Sequence, residues 1–300
     1  MQPRITVIGA ANVDISATSR GHFRPYDSNP SRVSIDFGGV GRNIAHNLTL
    51  MGADVRFLTV FGDDIMSQTL YDDCERLDMK LEPAVFVRNA RSNYFVCIND
   101  EHGDMQAGAA DIALLDNLTP EHIAEEFQHE DVAEIVVADC NLREDSLVAL
   151  AEKAKGKVYV DATSAAKSVK IKAMLSLPVR APILVKVNRL EASQVSGVES
   201  DAKTMAEHII ALGAERVYIT LGAEGVFCHD GRKGTLIPSR CTQIVNATGA
   251  GDAFMAGMVM GELHGKAICE ATQWGMNAAG LALHSQHPVN PEISLEKIRE

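Results

Sequence analysis

The sequence predicts an α/β fold: a central, mostly parallel sheet with helices on both faces, plus a small β lid. Short runs rich in Val, Ile and Leu, at 5–9, 55–60, 134–138, 157–160, 183–187 and 216–221, alternate with helical patterns. Such strands are apolar throughout, so each needs a helix layer on either side. The stretch 84–110 breaks this rhythm. Ala84-Val-Phe-Val, Asn93-Tyr-Phe-Val-Cys-Ile and the turn-like Glu101-His-Gly-Asp read as antiparallel hairpins. Together with about 14–37, they predict the lid. No repeat, low-complexity tract or long linker interrupts the 300 residues, so the chain is expected to form one domain over 1–300.

The first strand, Ile5-Thr-Val-Ile8, follows four residues that lack the apolar length of a secretory signal, and no run reaches transmembrane length. A formal charge of −12 argues against nucleic-acid partners, which are gripped by concentrated Lys and Arg, and suits a free small molecule better. The six cysteines are scattered without a Cys-x-x-Cys pair, which predicts reduced thiols in a cytoplasmic protein. His284 and His287 have a spacing that suits a metal, but no acidic or thiol partner lies near them in sequence.

The first helix with chemical interest begins near Val40. Val40, Ile44, Leu48 and Met51 share one face, and Gly52 is a left-handed stop. Gly38-Gly39-Val40-Gly41 precedes it, so the backbone can approach a neighbour closely there. Asn43 lies off the apolar stripe, with a donor and an acceptor that match a vicinal diol.

The second is Asn246-Ala-Thr-Gly249-Ala250-Gly251-Asp252-Ala-Phe254, which runs into an apolar helix starting near Ala250 or Gly251. The amides of Gly249, Ala250 and Gly251, backed by the helix dipole, form an anion hole for a terminal phosphate. No Walker-type lysine motif occurs, so these amides are expected to carry that role. Asp252, in the first helical turn, is expected to stay ionised with a pKa at or below about 3.9, a weak base that suffices for a loose phosphoryl-transfer transition state.

These two constellations, in this order, resemble the signature motifs of the ribokinase-like (PfkB) carbohydrate kinases. The resemblance extends through Gly9-Ala-Ala-Asn12-Val-Asp14, Asn188-Arg-Leu-Glu191 and Thr220-Leu-Gly222-Ala-Glu-Gly225, and so covers nearly the whole chain. It implies a ribokinase-like three-layer sandwich that uses ATP and Mg2+, with Asp252 as catalytic base and the backbone of Gly249, Ala250 and Gly251 as anion hole. It implies further that Asn12, Asp14, Gly39 and Asn43 hold sugar hydroxyls. Asn188 and Glu191 would place magnesium and phosphates, Glu191 through water. Thr220, Gly222 and Gly225 would line the nucleotide, with Asn277 beside the adenine.

Two positions depart from the family pattern. Asn246 stands where many members have an aspartate that helps bind a monovalent cation, which removes the basis for expecting potassium activation. Ala162 follows Asp161 where proline is frequent.

Within the family, Tyr26-Asp-Ser-Asn-Pro30 leading into Gly38-Gly-Val-Gly-Arg-Asn43 resembles the pseudouridine kinases, as do Val137-Ala-Asp-Cys-Asn141 and Val187-Asn-Arg-Leu-Glu-Ala192. The implied reaction is phosphorylation of the 5′-hydroxyl of pseudouridine, with Ser28, Asn29, Ser164 and Lys167 as candidate readers of the base. Kinases of ribose or other nucleosides, and a nucleotide-binding sensor without turnover, are the alternative readings. The family also implies a homodimer through the lid, for which Phe86, Tyr94 and Phe95 supply apolar surface.

Overall fold

The computed structural model describes residues 4–128, 134–239 and 248–300. The chain starts with β1 (Arg4–Ile8), β2 (Asn12–Ser19), β3 (Ser31–Gly38), α1 (Val40–Leu50), β4 (Asp54–Leu58), β5 (Val60–Phe61) and α2 (Ile65–Arg76). Then follow β6 (Val85–Phe86), β7 (Tyr94–Asn99), β8 (Met105–Asp111) and α3 (Pro120–Glu126). From there strands and helices alternate: β9 (Ile135–Asp139), α4 (Glu144–Lys153), β10 (Lys157–Asp161), α5 (Ala165–Ser168), α6 (Ile171–Leu175), β11 (Ile183–Asn188), α7 (Arg189–Ser196), α8 (Ala202–Ala211) and β12 (Arg216–Thr220). The last elements are β13 (Val226–His229), β14 (Gly234–Ile237), α9 (Ala250–Leu263), α10 (Ile268–Leu283) and α11 (Leu295–Arg299).

The central sheet has eight strands in the order β14-β13-β12-β11-β10-β9-β1-β4. All pairings from β4 to β12 are parallel, and β13 and β14 close one edge as antiparallel strands. Alternate residues feed two cores. Ile8, Val136, Val160, Val185 and Ile219 pack on the side of α4, α7 and α8, while Val7, Val137, Tyr159, Leu184 and Tyr218 pack on the side of α1, α9 and α10. Full burial of each such side chain contributes about 1.5–3 kcal/mol, so both faces hold the sheet and the three-layer expectation stands.

A second sheet, ordered β3-β2-β7-β8, forms the lid. It is rooted where β1 ends, so β2 leaves the central sheet at the carboxyl ends of its parallel strands. Open α/β sheets place their ligands at that rim.

Two expectations need correction. The run 55–60 is not one strand: Thr59 Oγ1 donates to the Gly9 carbonyl at 2.7 Å, and beyond it β5 turns away. Ala84-Val-Phe-Val does not join the lid, because β6 pairs in parallel with β5. Phe86 stacks on Phe61 with ring centroids 5.7 Å apart and also touches Tyr71, so its aromatic surface belongs to that cluster and not to a lid interface. Among the described residues, no helix is long and apolar enough to cross a membrane.

Candidate active site

The turn after β1 and the start of α1 are pressed together. Arg42 N donates to the Ala10 carbonyl at 3.0 Å, and a side chain at Gly39, whose φ is 97°, would collide with that same carbonyl. This close approach fixes the first turn of α1, which carries the buried Asn43. Asp14, on β2, sets its carboxyl against the Cα of Gly38, just before that helix. Burial pushes the Asp14 carboxyl up to about 7, with Asp36 adding to the rise and Arg42 opposing it.

Asn12 Oδ1, Asp14 Oδ1, Asn43 Oδ1 and Asn93 Oδ1 are buried without a hydrogen-bond partner. Buried acceptors are rarely left unmet. A ligand bearing several hydroxyl donors would satisfy them.

Helix α9 opens at Gly249, whose φ of 80° is the left-handed value that glycine tolerates. The first bond of the helix runs from Ala253 N to the Gly249 carbonyl, so the amides of Ala250, Gly251 and Asp252 precede its hydrogen-bonded ladder. Asp252 is 9% exposed and accepts a hydrogen bond from Asn43 Nδ2 at 2.9 Å.

Here the structure refines one expectation and overturns another. Asn43 gives one amide hydrogen to Asp252, which leaves its other amide hydrogen and its carbonyl for a substrate diol. Asp252 is not a weak, permanently ionised base. Burial, reinforced by the nearby Asp161 carboxylate, pushes it up to about 8 against the pull of Asn43 and Lys186. Desolvation and like charge outweigh the helix dipole, and a base poised near neutral pH accepts a proton far better than one near the usual carboxylate value.

A buried row of charge backs this carboxylate. Asp139 closes β9 and accepts from Ala10 N and Asn141 N at 2.9 and 2.8 Å. Asp161 closes β10 and accepts from Thr163 N and from Lys186 Nζ, both at 2.8 Å. Lys186 comes from β11 and is 7% exposed. Burial lowers its pKa, but the surrounding carboxylates, Asp161 foremost with Asp252 and Glu191, outweigh that and hold it above the ordinary lysine value.

Beside the tip of α9 lies a cavity of about 320 Å3. Thr220, Gly222, Gly225, Ala250 and Gly251 line its mouth, and Phe254, Met276, Ala279 and Leu283 line its apolar wall. A flat base fits between such side chains, with its phosphates directed at the helix tip. At its edge, Asn188 and Glu191 form a reciprocal cap on α7: Glu191 N donates to Asn188 Oδ1 at 2.9 Å, and Asn188 N donates to Glu191 Oε2 at 2.7 Å. Burial raises the Glu191 carboxyl. Among the described residues no cluster of three or more His, Cys, Asp or Glu is placed to ligate a metal directly. One carboxylate oxygen beyond the cap suits a magnesium ion only through water, which magnesium retains readily.

Other predicted residues stand apart. Ser28 and Asn29 lie in the β2–β3 turn at the far end of the lid ribbon from Asn12, and Asn29 spends its amide on Arg24 and Asp27. Asn277 does not line the cavity; it donates to the Ile298 carbonyl and accepts from Gln273. Ser164 stands at the N-cap position of the short α5 without a side-chain capping bond, and Lys167 Nζ donates to Asn141 Oδ1, both near the ends of β9 and β10. Asn246 lies outside the described residues.

Sequence reasoning missed Lys186, Asp161, Asp139 and Asn93. A signal for the first existed: Ile183-Leu-Val-Lys-Val places one charge inside an otherwise apolar strand. Asp139 and Asp161 likewise end apolar strands at the rim where ligands bind.

Comparisons with known proteins agree with this fold. The model of the pfkB family carbohydrate kinases matches residues 2–294. The chain is 30% identical to the pseudouridine kinase of Escherichia coli K12, over 98% of this chain and 95% of that one. It is 25% identical to a ribokinase of Haemophilus influenzae, over 94% and 93% of the two chains. Among solved structures, a carbohydrate kinase from Agrobacterium tumefaciens superposes with a TM-score of 0.83 at 25% identity, covering 99% of this chain and 95% of that one. With its Gly-Ala-Gly-Asp helix tip, its β lid and a family match along almost its whole length, the chain belongs to the PfkB family of carbohydrate kinases.

Proposed function

We propose that this protein transfers the γ-phosphoryl group of ATP to the 5′-hydroxyl of pseudouridine, giving pseudouridine 5′-phosphate and ADP. The observation that carries the reading is the Asn43–Asp252 hydrogen bond. It joins one of several buried, unmet acceptors, together suited to a ribosyl group, to the carboxylate of a helix tip whose Ala250 and Gly251 line a nucleotide-sized cavity. The likeness to the Escherichia coli pseudouridine kinase supports the choice of nucleoside.

In this scheme Asn12, Asp14 and the Asn43 carbonyl accept the ribosyl hydroxyls and aim the 5′-hydroxyl at the γ-phosphorus. Asp252 takes the hydroxyl proton as the new O–P bond forms. The bond from phosphorus to the bridging oxygen breaks, and its electron pair leaves on ADP. The amides of Ala250, Gly251 and Asp252 hold the transferring group, where positioning and charge stabilisation supply most of the acceleration. Magnesium bound with the nucleotide would neutralise charge on its phosphates, held through water by Asn188 and Glu191. In this reading Lys167, with Asn141 and Ser164 beside it, would read a polar base edge. ADP release measured on pseudouridine, uridine, adenosine, ribose and fructose 6-phosphate tests the assignment. Pseudouridine should give the highest kcat/KM, and a preference for free ribose would end the pseudouridine reading.

The lid also supports a homodimer. Asp14 and Ser16 alternate along β2 with Ile15 and Ala17, so the face opposite the cleft carries Val33, Ile35, Val96 and Ile98, of which Val33 and Ile35 are 62% and 52% exposed. Light scattering should give twice the chain mass, and Val33→Glu should reduce it to one; a monomeric wild type ends this proposal.

A further inference from the structure

Lys186 stands where no sequence motif places a lysine. Its ammonium carries three protons, and Asp161 Oδ2 takes one of them at 2.8 Å. A Cβ built on Gly251 would lie 2.7 Å from Lys186 Nζ, so the ammonium rests against that glycine's backbone. In a helix every Cα–Cβ bond tilts toward the amino end. A group that takes the place of the Gly251 side chain therefore flanks the tip of α9, beside the amides of Ala250, Gly251 and Asp252. Asp252 and Glu191 both act on the ammonium electrostatically, so it lies within reach of the candidate base and of the cap of α7. Gly251 lines the nucleotide-sized cavity, so this flank is also where a terminal phosphate would reach the helix.

We propose that Lys186 is a catalytic residue: its ammonium, anchored by Asp161, donates a hydrogen bond to an oxygen of the terminal phosphoryl group held at the α9 tip. The claim rests on the kinase reading above. Lys186 stays protonated throughout and supplies charge where the transferring group becomes electron-rich, while the substrate proton goes to Asp252. The same placement explains why Gly251 has no side chain, since a methyl group there would displace the ammonium.

The test compares wild type with Lys186→Met, Lys186→Arg and the double variant Lys186→Met/Asp161→Asn. The measurements are calorimetric affinities for ATP and ADP, kcat on the best nucleoside, and thermal melts. Loss of a charge-assisted hydrogen bond to the terminal phosphate should weaken ATP about 10- to 100-fold while ADP changes much less. It should also cut kcat by at least about 100-fold, with partial recovery in Lys186→Arg. The double variant removes both members of the buried pair and is expected to fold, so it carries the same readouts if Lys186→Met alone does not. It should stay slow and keep the ATP-specific loss. Equal weakening of ATP and ADP, or recovery of kcat in the double variant to within about tenfold of wild type, would reduce Lys186 to a counter-ion for Asp161 and overturn the proposal. Wild-type turnover across the nucleoside panel tests the kinase reading separately.

Discussion

Helices α1 and α9 begin with the same device and put it to opposite uses. Each is preceded by a glycine at positive φ, Gly39 at 97° and Gly249 at 80°, and neither has a side-chain cap. At α1 the amino end is turned inward: Arg42 N donates to the Ala10 carbonyl, and the glycines press against the turn after β1. Its amides serve the fold, and what it delivers to the cleft is a side chain, Asn43. At α9 the glycines meet a loop carbonyl, that of Pro288, and the Lys186 ammonium, while Ala250 and Gly251 border a cavity. In the proposed reading its amides serve a ligand. A glycine motif before a helix therefore marks a close approach, and whether that approach is to the protein or to a phosphate depends on what packs against it.

The sharpest way to break this contrast is to remove the carboxylate in the first turn of α9. Asp252→Asn should lower kcat about 10^2- to 10^4-fold, the range expected for loss of a positioned general base, while calorimetric ATP affinity survives. Near-normal kcat would show that the helix tip binds without taking part in chemistry. Thermal melts add a check whose sign is fixed. Asp252 is raised from 3.8 to about 8, so the folded state keeps a proton that the unfolded chain releases above its lower pKa. The associated stability is present at low pH and is lost as pH climbs through that window. Asp252→Asn, which stays neutral, should therefore gain in Tm relative to wild type as pH rises.

The central sheet was readable because a parallel strand buried on both faces must be apolar along its length. The two helix starts were readable because glycine, a small gap and an apolar stripe leave few other foldings. The rest depended on tertiary proximity. Nothing local indicates that Asn43 and Asp252, 209 residues apart, share a hydrogen bond. Nor could the dipole argument foresee that Asp161, brought in from a neighbouring strand, would add its charge to burial and reverse the direction in which Asp252 shifts. Phe86 was assigned to the lid on hairpin pattern alone, but its partners Phe61 and Tyr71 come from earlier elements. Asn277 sits on the helix that lines the cavity, yet its side chain is turned to the carbonyl of Ile298, and its neighbours Met276 and Ala279 line the cavity instead.

A smaller effect tests the α1 side of the contrast. If that helix contributes through Asn43 alone, Asn43→Ala should remove two things together: an acceptor for the substrate hydroxyl and the donor to Asp252. Loss of a hydrogen bond to a charged group costs about 1.5–3 kcal/mol, so kcat/KM should fall by about 10- to 100-fold. The pH profile separates this from a simple loss of binding. In the proposed mechanism activity requires Asp252 deprotonated, so kcat/KM of wild type should rise with pH toward a limb near 8, with Asp14, at about 7, contributing an earlier step. The Asn43 hydrogen bond stabilises the anion and pulls the Asp252 pKa down. Without it, the limb must move to higher pH, so part of the lost activity should return above the wild-type limb. A uniform loss at every pH would mean that Asn43 only holds the sugar, and that the link between the two helices does not tune the base.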